Sequence, residues 1–377
     1  MAKFDPIMKD HLNRIERGAS HNSYLESHVQ NEIIGLLSDN IMSAIVADIR
    51  KAKFFSIILD CTPDISHIEQ LSVVIRVVLM GTPQIMEHFL GFLEAEESTG
   101  QHLASMVLNR LEELGIPFQD CRGQSYDNGA NMRGKSKGVQ ARLLEKNPRA
   151  LFVPCGAHTL NLVLCDAAKG STDAMSYFGV LQKLYTLFSG STQRWAELKK
   201  HVTITLKMWA DTWWESKIKS VEPMQYQGAA VREALLELQN NTKDPVIRAE
   251  AQSLSEEVGS YRFSICTVVW YDILSTTQHV SKLMQSPNMQ VDLAVSLLKK
   301  AEQSLQSYRA SGFVAAQIAA KDICEAMNVE AVLKQKRLRT TKRHFSYESH
   351  DEPFSDVLKK LEVGFFKCGC GCSPGSH

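Results

Sequence analysis

Two aspartates stand where metal chemistry could be done. Asp60 closes the apolar run Phe54-Phe55-Ser56-Ile57-Ile58-Leu59, and Asp127 follows a second short run, Cys121 to Tyr126. If those runs are adjacent strands of one sheet, both carboxylates come to the same end of it. Hard oxygen ligands there suit Mg²⁺ or Mn²⁺. A pair of such ions about 4 Å apart activates a water and stabilises the leaving oxygen of a phosphodiester. The plainer reading is that each aspartate starts a turn. Asp127-Asn128-Gly129 is a turn signal in its own right, and on pattern alone the turn reading carries more weight.

Other chemistry-bearing residues are weaker signals. Cys155 and His158 form half of a zinc-ligand set, but no second pair lies at usable spacing, and a His at a helix start is more often a core or capping residue. The tract Cys368-Gly-Cys-Gly-Cys372 is too tight for a zinc knuckle, so no zinc site is evident. Gly129 to Gly138 lacks the spacing of a P-loop or a dinucleotide fingerprint. Lys334 to Arg343 (KQKRLRTTKR), with Arg337, Arg339, Lys342 and Arg343, is the one dense basic run. It reads equally as a nuclear-localisation or nucleic-acid patch and as a solvated linker.

The elements that must position these residues follow from periodicity. Residues 28–49 carry Ile33, Ile34, Leu37, Ile41, Ile45 and Ile49 at helical spacing. Three strand-like runs come next, Phe54 to Leu59, Leu71 to Met80 and Ile85 to Leu93, close enough for an antiparallel meander. A helix starts at Ser98-Thr99-Gly100 and stops at Gly115 and Pro117. The strand 121–126, a helix over 138–146 and a strand at 151–153 complete the order β-β-β-α-β-α-β-α. That is the order of an RNase H-like mixed sheet. After Ala157 the period is helical, with breaks expected at Pro223, Pro245, Gly259, Pro287 and Gly312.

Bulk properties narrow the function classes. The 377 residues are 44% hydrophobic, and 42 basic residues balance 42 acidic ones. A uniformly basic nucleic-acid coat is excluded, whereas a local basic groove is not. No run reaches the roughly 18–20 apolar residues of a membrane span, so no membrane partner is expected. Most of the nine cysteines are scattered singly, unlike a disulfide framework.

Five segments carry a family resemblance. They are Ile57 to Val78 (IILDCTPDISHIEQLSVVIRVV), Cys121 to Gly138 (CRGQSYDNGANMRGKSKG), Val153 to Leu164 (VPCGAHTLNLVL), Leu184 to His201 (LYTLFSGSTQRWAELKKH) and Ala210 to Val221 (ADTWWESKIKSV). In this order they resemble the blocks of hAT-superfamily transposases and their domesticated relatives, in the subset that includes MYM-type zinc-finger proteins. The resemblance implies an α/β fold, an RNase H-like mixed sheet interrupted by a large all-α insertion domain. It implies four segments: a helical segment 1–50, a partial RNase H-like core 51–215, a helical insertion 216–335, and a basic linker with a divergent, disordered tail over 336–377.

It also implies roles. Asp60 and Asp127 match the first two carboxylates of the family's catalytic triad and would hold Mg²⁺ or Mn²⁺. His158 matches the His of a Cys-x-x-His motif near the DNA. Trp214 matches a Trp that stacks on a flipped base, while its usual Arg partner is replaced by Trp213. The third carboxylate and the dimerisation segment of the family lie beyond the point, near Gly364, where this chain leaves the pattern. Glu352 and Glu362 stand outside the family's context for that carboxylate. The expectation is therefore a domesticated or truncated relative, nuclear and without catalysis, that binds DNA or protein partners. The alternative is an active metal-dependent transposase or nuclease in a longer form.

Overall fold

The computed structural model describes residues 6–18, 27–79, 81, 84–209, 214–286, 289–333 and 357–370. The chain divides into two compact units, Met1–Cys155 and Gly156–His377. The division falls ahead of the boundary at 215/216 expected from sequence, so the helices between 156 and 201 belong to the second unit.

The first unit holds two helices, α1 (Pro6–Glu16) and α2 (Ser27–Ala52), and then a sheet with its covering helices. Strands β1 (Phe55–Pro63), β2 (Glu69–Leu79) and β3 (Gln84–Ala95) form the expected antiparallel trio. Helix α3 (Gly100–Glu113) leads to β4 (Cys121–Ser125), the short α4 (Ala130–Arg133), α5 (Val139–Lys146) and β5 (Leu151–Phe152). The order across the five-stranded sheet is β3-β2-β1-β4-β5, with β4 parallel to both of its neighbours. This is the mixed sheet expected from the sequence.

Alternation explains which face is covered. Phe55, Ile57 and Leu59 of β1 and Leu71, Val73, Ile75 and Val77 of β2 are buried, and their in-between neighbours are not. That is the period of two expected of strands with one packed face. Leu103, Ala104, Val107 and Leu111 of α3 and Val139 and Leu143 of α5 share this core. Each fully buried Val, Leu or Ile contributes about 1.5–3 kcal/mol of transfer free energy. Helix α3 is capped by Thr99, whose side chain accepts from the His102 N–H at 3.3 Å. Only the C-terminal part of α2 reaches this core, through Val46 and Ile49, while Ile33, Ile34, Leu37 and Ile41 stay exposed.

Among its described residues the second unit is all-helical: α6 (Gly156–Lys169), α7 (Thr172–Ser189), α8 (Thr192–His201), α9 (Trp214–Asn241), α10 (Pro245–Val258), α11 (Tyr261–Met284) and α12 (Val291–Ala326). Helix α11 is the hub, buried from Tyr261 to Ser281 on most of its surface. Lys217 of α9 is 1% exposed, and its Nζ donates to Asn161 Oδ1 and, at 2.7 Å, to Cys165 Sγ on α6. The same ammonium sits 5.4 Å from the Trp209 ring. A buried lysine needs such partners, because an unpaired charge in the interior is costly.

Several expected breaks resolve differently. Pro245 opens α10 behind its Asp244 cap, and Gly259 separates α10 from α11 as expected. Pro223 lies inside α9, whose kink falls at Gln227. Helix α12 runs straight through Gly312, where an added Cβ would meet the Tyr308 ring at 2.4 Å. That glycine permits close packing and does not end a helix. Pro287 lies outside the described residues. Residues 357–370 also differ from the disordered tail expected: α13 (Val357–Leu361), a π-helical turn (Glu362–Phe366) and α14 (Lys367–Gly369) form there. Leu361, Phe365 and Phe366 are each 1% exposed and belong to the helical core, with Phe366 against Tyr308 and Phe313 at ring distances of 5.2 and 5.1 Å.

Phe366→Ala should therefore destabilise the chain by about 3–5 kcal/mol, read as a lower denaturation midpoint. Exposed Val363→Ala serves as the control and should change it by less than about 0.5 kcal/mol. Equal effects would show that this segment does not pack as described.

Candidate metal and nucleic-acid site

Strand β4 is five residues long and needs help to hold its place. Two buried amides supply it. Gln124 donates from Nε2 to the Ala150 carbonyl at 2.8 Å, and its Oε1 accepts from the Tyr126 hydroxyl at 2.8 Å. Asn147 donates from Nδ2 to the carbonyls of Phe118 and Cys121 at 2.8 and 2.9 Å. Such buried amides are stable only when paired, so they fix β4 against the α5–β5 connection. Beyond β5, the N–H groups of Val153 and Cys155 donate to the carbonyls of Gln124 and Tyr126 at 2.9 and 3.1 Å, continuing the ladder.

This anchoring decides where the two aspartates sit. In the parallel β1–β4 pair, Ile57 faces Gln124 and Ile58 faces Ser125. Asp60 lies two residues past Ile58, and Asp127 two residues past Ser125, so both come to the same end of adjacent strands. Asp60 is exposed and Asp127 half-buried. The turn reading of Asp127 also holds, since its Oδ1 accepts from the Gly129 N–H at 3.1 Å. A Cβ on Gly129 would crowd that same carboxylate oxygen at 3.2 Å and the Asn131 side chain at 2.8 Å.

The electrostatics agree with this convergence. The Cys61 thiol is pushed up to about 12 by burial first, then by its bond to Glu69, and further by the charges of Glu69, Asp60 and Asp127. Its Sγ lies 3.2 Å from Glu69 Oε2. Three carboxylates thus act on one thiol at the strand ends, and a thiol so held is no nucleophile at neutral pH. Glu69 was missed from sequence. The signal for it was the hairpin register, which sets Pro63 opposite Glu69 once Asp60 faces Ser72.

The loop after Asp127 and α5 each bring one basic residue, Lys137 and Arg142, to a cleft that Glu97 also lines. This open cleft of about 840 Å³ is lined by Thr99, His102, Asn131, Lys137 and Arg142, among others. The α3 N-terminus is pressed onto this loop: a Cβ on Gly100 would meet the Lys137 carbonyl at 2.5 Å. Asn131 Nδ2 donates to the Ser98 carbonyl at 3.1 Å, closing the contact.

The remaining sequence candidates are more dispersed. Cys155 ends the first unit beside Tyr126, and His158 stands in the first turn of α6 in the second. Trp214 begins α9. Trp213, Glu352, Cys372 and the basic residues Arg337, Arg339, Lys342 and Arg343 lie outside the described residues. Trp195, Trp209 and Trp270 pack in the helical core, with Trp209 stacked on Phe178 at 3.8 Å. Glu362 pairs with Lys367 at 2.9 Å. Burial pushes the Cys370 thiol up to about 12, which disfavours the thiolate a metal would need.

Comparison with known proteins converges on the same unit. Residues 7–138 match the family described as DUF4371: ZMYM1/FAM200, RNase-like domain. That segment is similar to the ZMYM1/FAM200-type RNase-like domain over about a third of the chain. The chain is also 25% identical over 305 residues to the human "52 kDa repressor of the inhibitor of the protein kinase" and 25% identical over 308 residues to its mouse counterpart. Each match takes in 78% of this chain and 40% of the relative, so the chain spans about two fifths of the length of these relatives. The likeness to domesticated hAT-type proteins read from the motifs stands on both findings. No described helix of the chain is long and apolar enough to cross a membrane.

If the first unit gathers its carboxylates around Cys61, thiol reactivity reports on it. Glu69→Gln should speed Cys61 alkylation at pH 9 by about tenfold for each unit of pKa recovered, and Asp127→Asn by a smaller factor. The sign follows because a lost negative charge favours the thiolate. Site-resolved mass spectrometry of labelling reads this out; no change with Asp127→Asn would place that carboxylate elsewhere.

Proposed function

We propose that this chain is a domesticated hAT-type protein whose RNase H-like unit binds DNA without cutting it, acting in the nucleus as a regulatory factor. The single observation that carries the reading is the arrival of Asp60 and Asp127 at one end of adjacent parallel strands. Next to Asp127, the Gly129–Gly138 loop brings Lys137, and α5 brings Arg142, to an open cleft with His102. Phosphates of a duplex fit such a cleft, since Lys and Arg neutralise them and release counterions. The regulatory part draws on the relatives, which are named as a repressor. A role for protein partners fits the same name, and the run with Arg337, Arg339, Lys342 and Arg343 suits nuclear entry or further phosphate contacts.

Asp60 and Asp127 fit a Mg²⁺ or Mn²⁺ ion, because two carboxylates at one strand end concentrate the negative charge that already raises Cys61. Bound there, the ion would supply Lewis-acid stabilisation of a phosphodiester. The protein's own part is to hold the two carboxylates in register through β1 and β4 and to present the duplex along the cleft. His158 and Trp214 are proposed as further DNA contacts, through a ring nitrogen and through base stacking respectively.

The second reading, metal-dependent cleavage, rests on the same two aspartates. Both are tested with a hairpin-ended duplex in Mg²⁺. Lys137→Glu with Arg142→Glu should weaken binding by about tenfold or more and lower the salt slope by about two, while the DNA stays intact. Cleavage by the unaltered protein that disappears in Asp60→Asn would replace the binding reading with the nuclease one. Binding unaffected by the double charge reversal would remove the cleft from the account.

A further inference from the structure

The helical unit carries a second cluster that neither the motifs nor the relatives' names assign. Glu197 and His201 stand one turn apart on α8, and Glu237 reaches them from α9. One ligand atom from each, two carboxylate oxygens and a ring nitrogen, lies within 4.8 Å of the others. His201 Nε2 is 2.9 Å from Glu237 Oε2 and 3.9 Å from Glu197 Oε1. Ligand atoms around a tetrahedral ion with bonds of about 2.0 Å are separated by about 3.3 Å, so these edges bracket what such an ion requires.

The outer oxygens are already held. Lys200 Nζ takes Glu197 Oε2 at 2.6 Å, and Asn241 Nδ2 donates to Glu237 Oε1 at 3.4 Å. Each carboxylate is therefore oriented by a neighbour and turns its other oxygen toward the ring nitrogen. Outer partners of this kind fix the ligands of built metal sites. An independent observation points to a missing partner. Glu197 Oε1 is shut off from solvent and has no hydrogen-bond partner among the described residues. The His201 ring nitrogen faces that oxygen at 3.9 Å, beyond hydrogen-bond reach, and the Lys200 ammonium is engaged on the opposite oxygen. The side chains of Glu197, His201 and Glu237 are 21, 16 and 41% exposed, so an ion has a way in from the Glu237 side and a water can complete its shell.

We propose that Glu197, His201 and Glu237 bind one first-row divalent cation, zinc being the probe, which clips α8 to α9. The donor set is two carboxylate oxygens and one imidazole nitrogen, which suits zinc better than calcium or magnesium. This site is separate from Asp60 and Asp127 and does not depend on the DNA-binding reading.

The test is calorimetric titration of Zn²⁺ into the full chain carrying Asp60→Asn and Asp127→Asn, with Cys368, Cys370 and Cys372 replaced by Ser, which removes the other proposed cation site and the thiols of the tail. One saturable site is expected, with a melting temperature that rises with Zn²⁺. His201→Ala and Glu197→Gln should each weaken binding by about tenfold or more and abolish the melting shift. Circular dichroism and the metal-free melt show that each variant is folded; Glu237→Gln, on the more exposed ligand, serves if either of the others is not. Absorption of the Co²⁺ form without a thiolate charge-transfer band is the spectroscopic signature of this donor set. No saturable site, or affinity unchanged in the folded variants, would overturn the proposal and leave the cluster as an ordinary ion pair.

Discussion

The parallel pairing of β1 with β4 is the constraint from which the candidate site follows. Antiparallel hairpins would suffice to build β1, β2 and β3, but they put nothing beside Asp60. Only a crossover through α3 returns the chain so that β4 runs in the same direction as β1, with Ile58 opposite Ser125. Equal spacing past that pair then sets Asp127 against Asp60. A one-residue slip in the register would turn one of the two side chains to the other face. The buried amides of Gln124 and Asn147 resist such a slip, because each would lose partners that water could not replace inside the core.

The same strand end shows how one residue serves two purposes. Asp127 begins a turn by accepting from Gly129, and its carboxylate also contributes to the negative field at Cys61. The turn aims the Gly129–Gly138 loop back toward α3 and so places Lys137 at the cleft. Acid at the strand ends and base on the neighbouring loop are products of a single chain reversal.

Much of the first unit was legible from residue types. β-Branched runs bounded by turn signals gave β1, β2 and β3, and the Thr99 cap with the Leu103–Val107–Leu111 stripe gave α3. The mixed sheet followed from element order, because few topologies satisfy it. Glu69 was less legible, since its position depends on a hairpin register that periodicity does not report. In the helical unit, single residues misled. Gly312 signals a helix end in isolation, yet α12 continues there because Tyr308 packs over the bare backbone. Gly170-Ser171 and Gly190-Ser191 do end helices, and nothing in local composition separates the two cases. The segment 357–370 reads as divergent because the family pattern stops near Gly364, but Leu361, Phe365 and Phe366 all reach the core. The Glu197–His201–Glu237 cluster was out of reach for the same reason as Glu69: its members come from two helices whose facing sides only tertiary packing fixes.

Anomalous diffraction from crystals grown in Mn²⁺ tests the central claim most directly. The account predicts a metal peak at the β1–β4 strand ends, within coordination distance of carboxylate oxygens from both Asp60 and Asp127. Finding the two side chains on opposite faces of the sheet, or a metal bound there by neither of them, would contradict it.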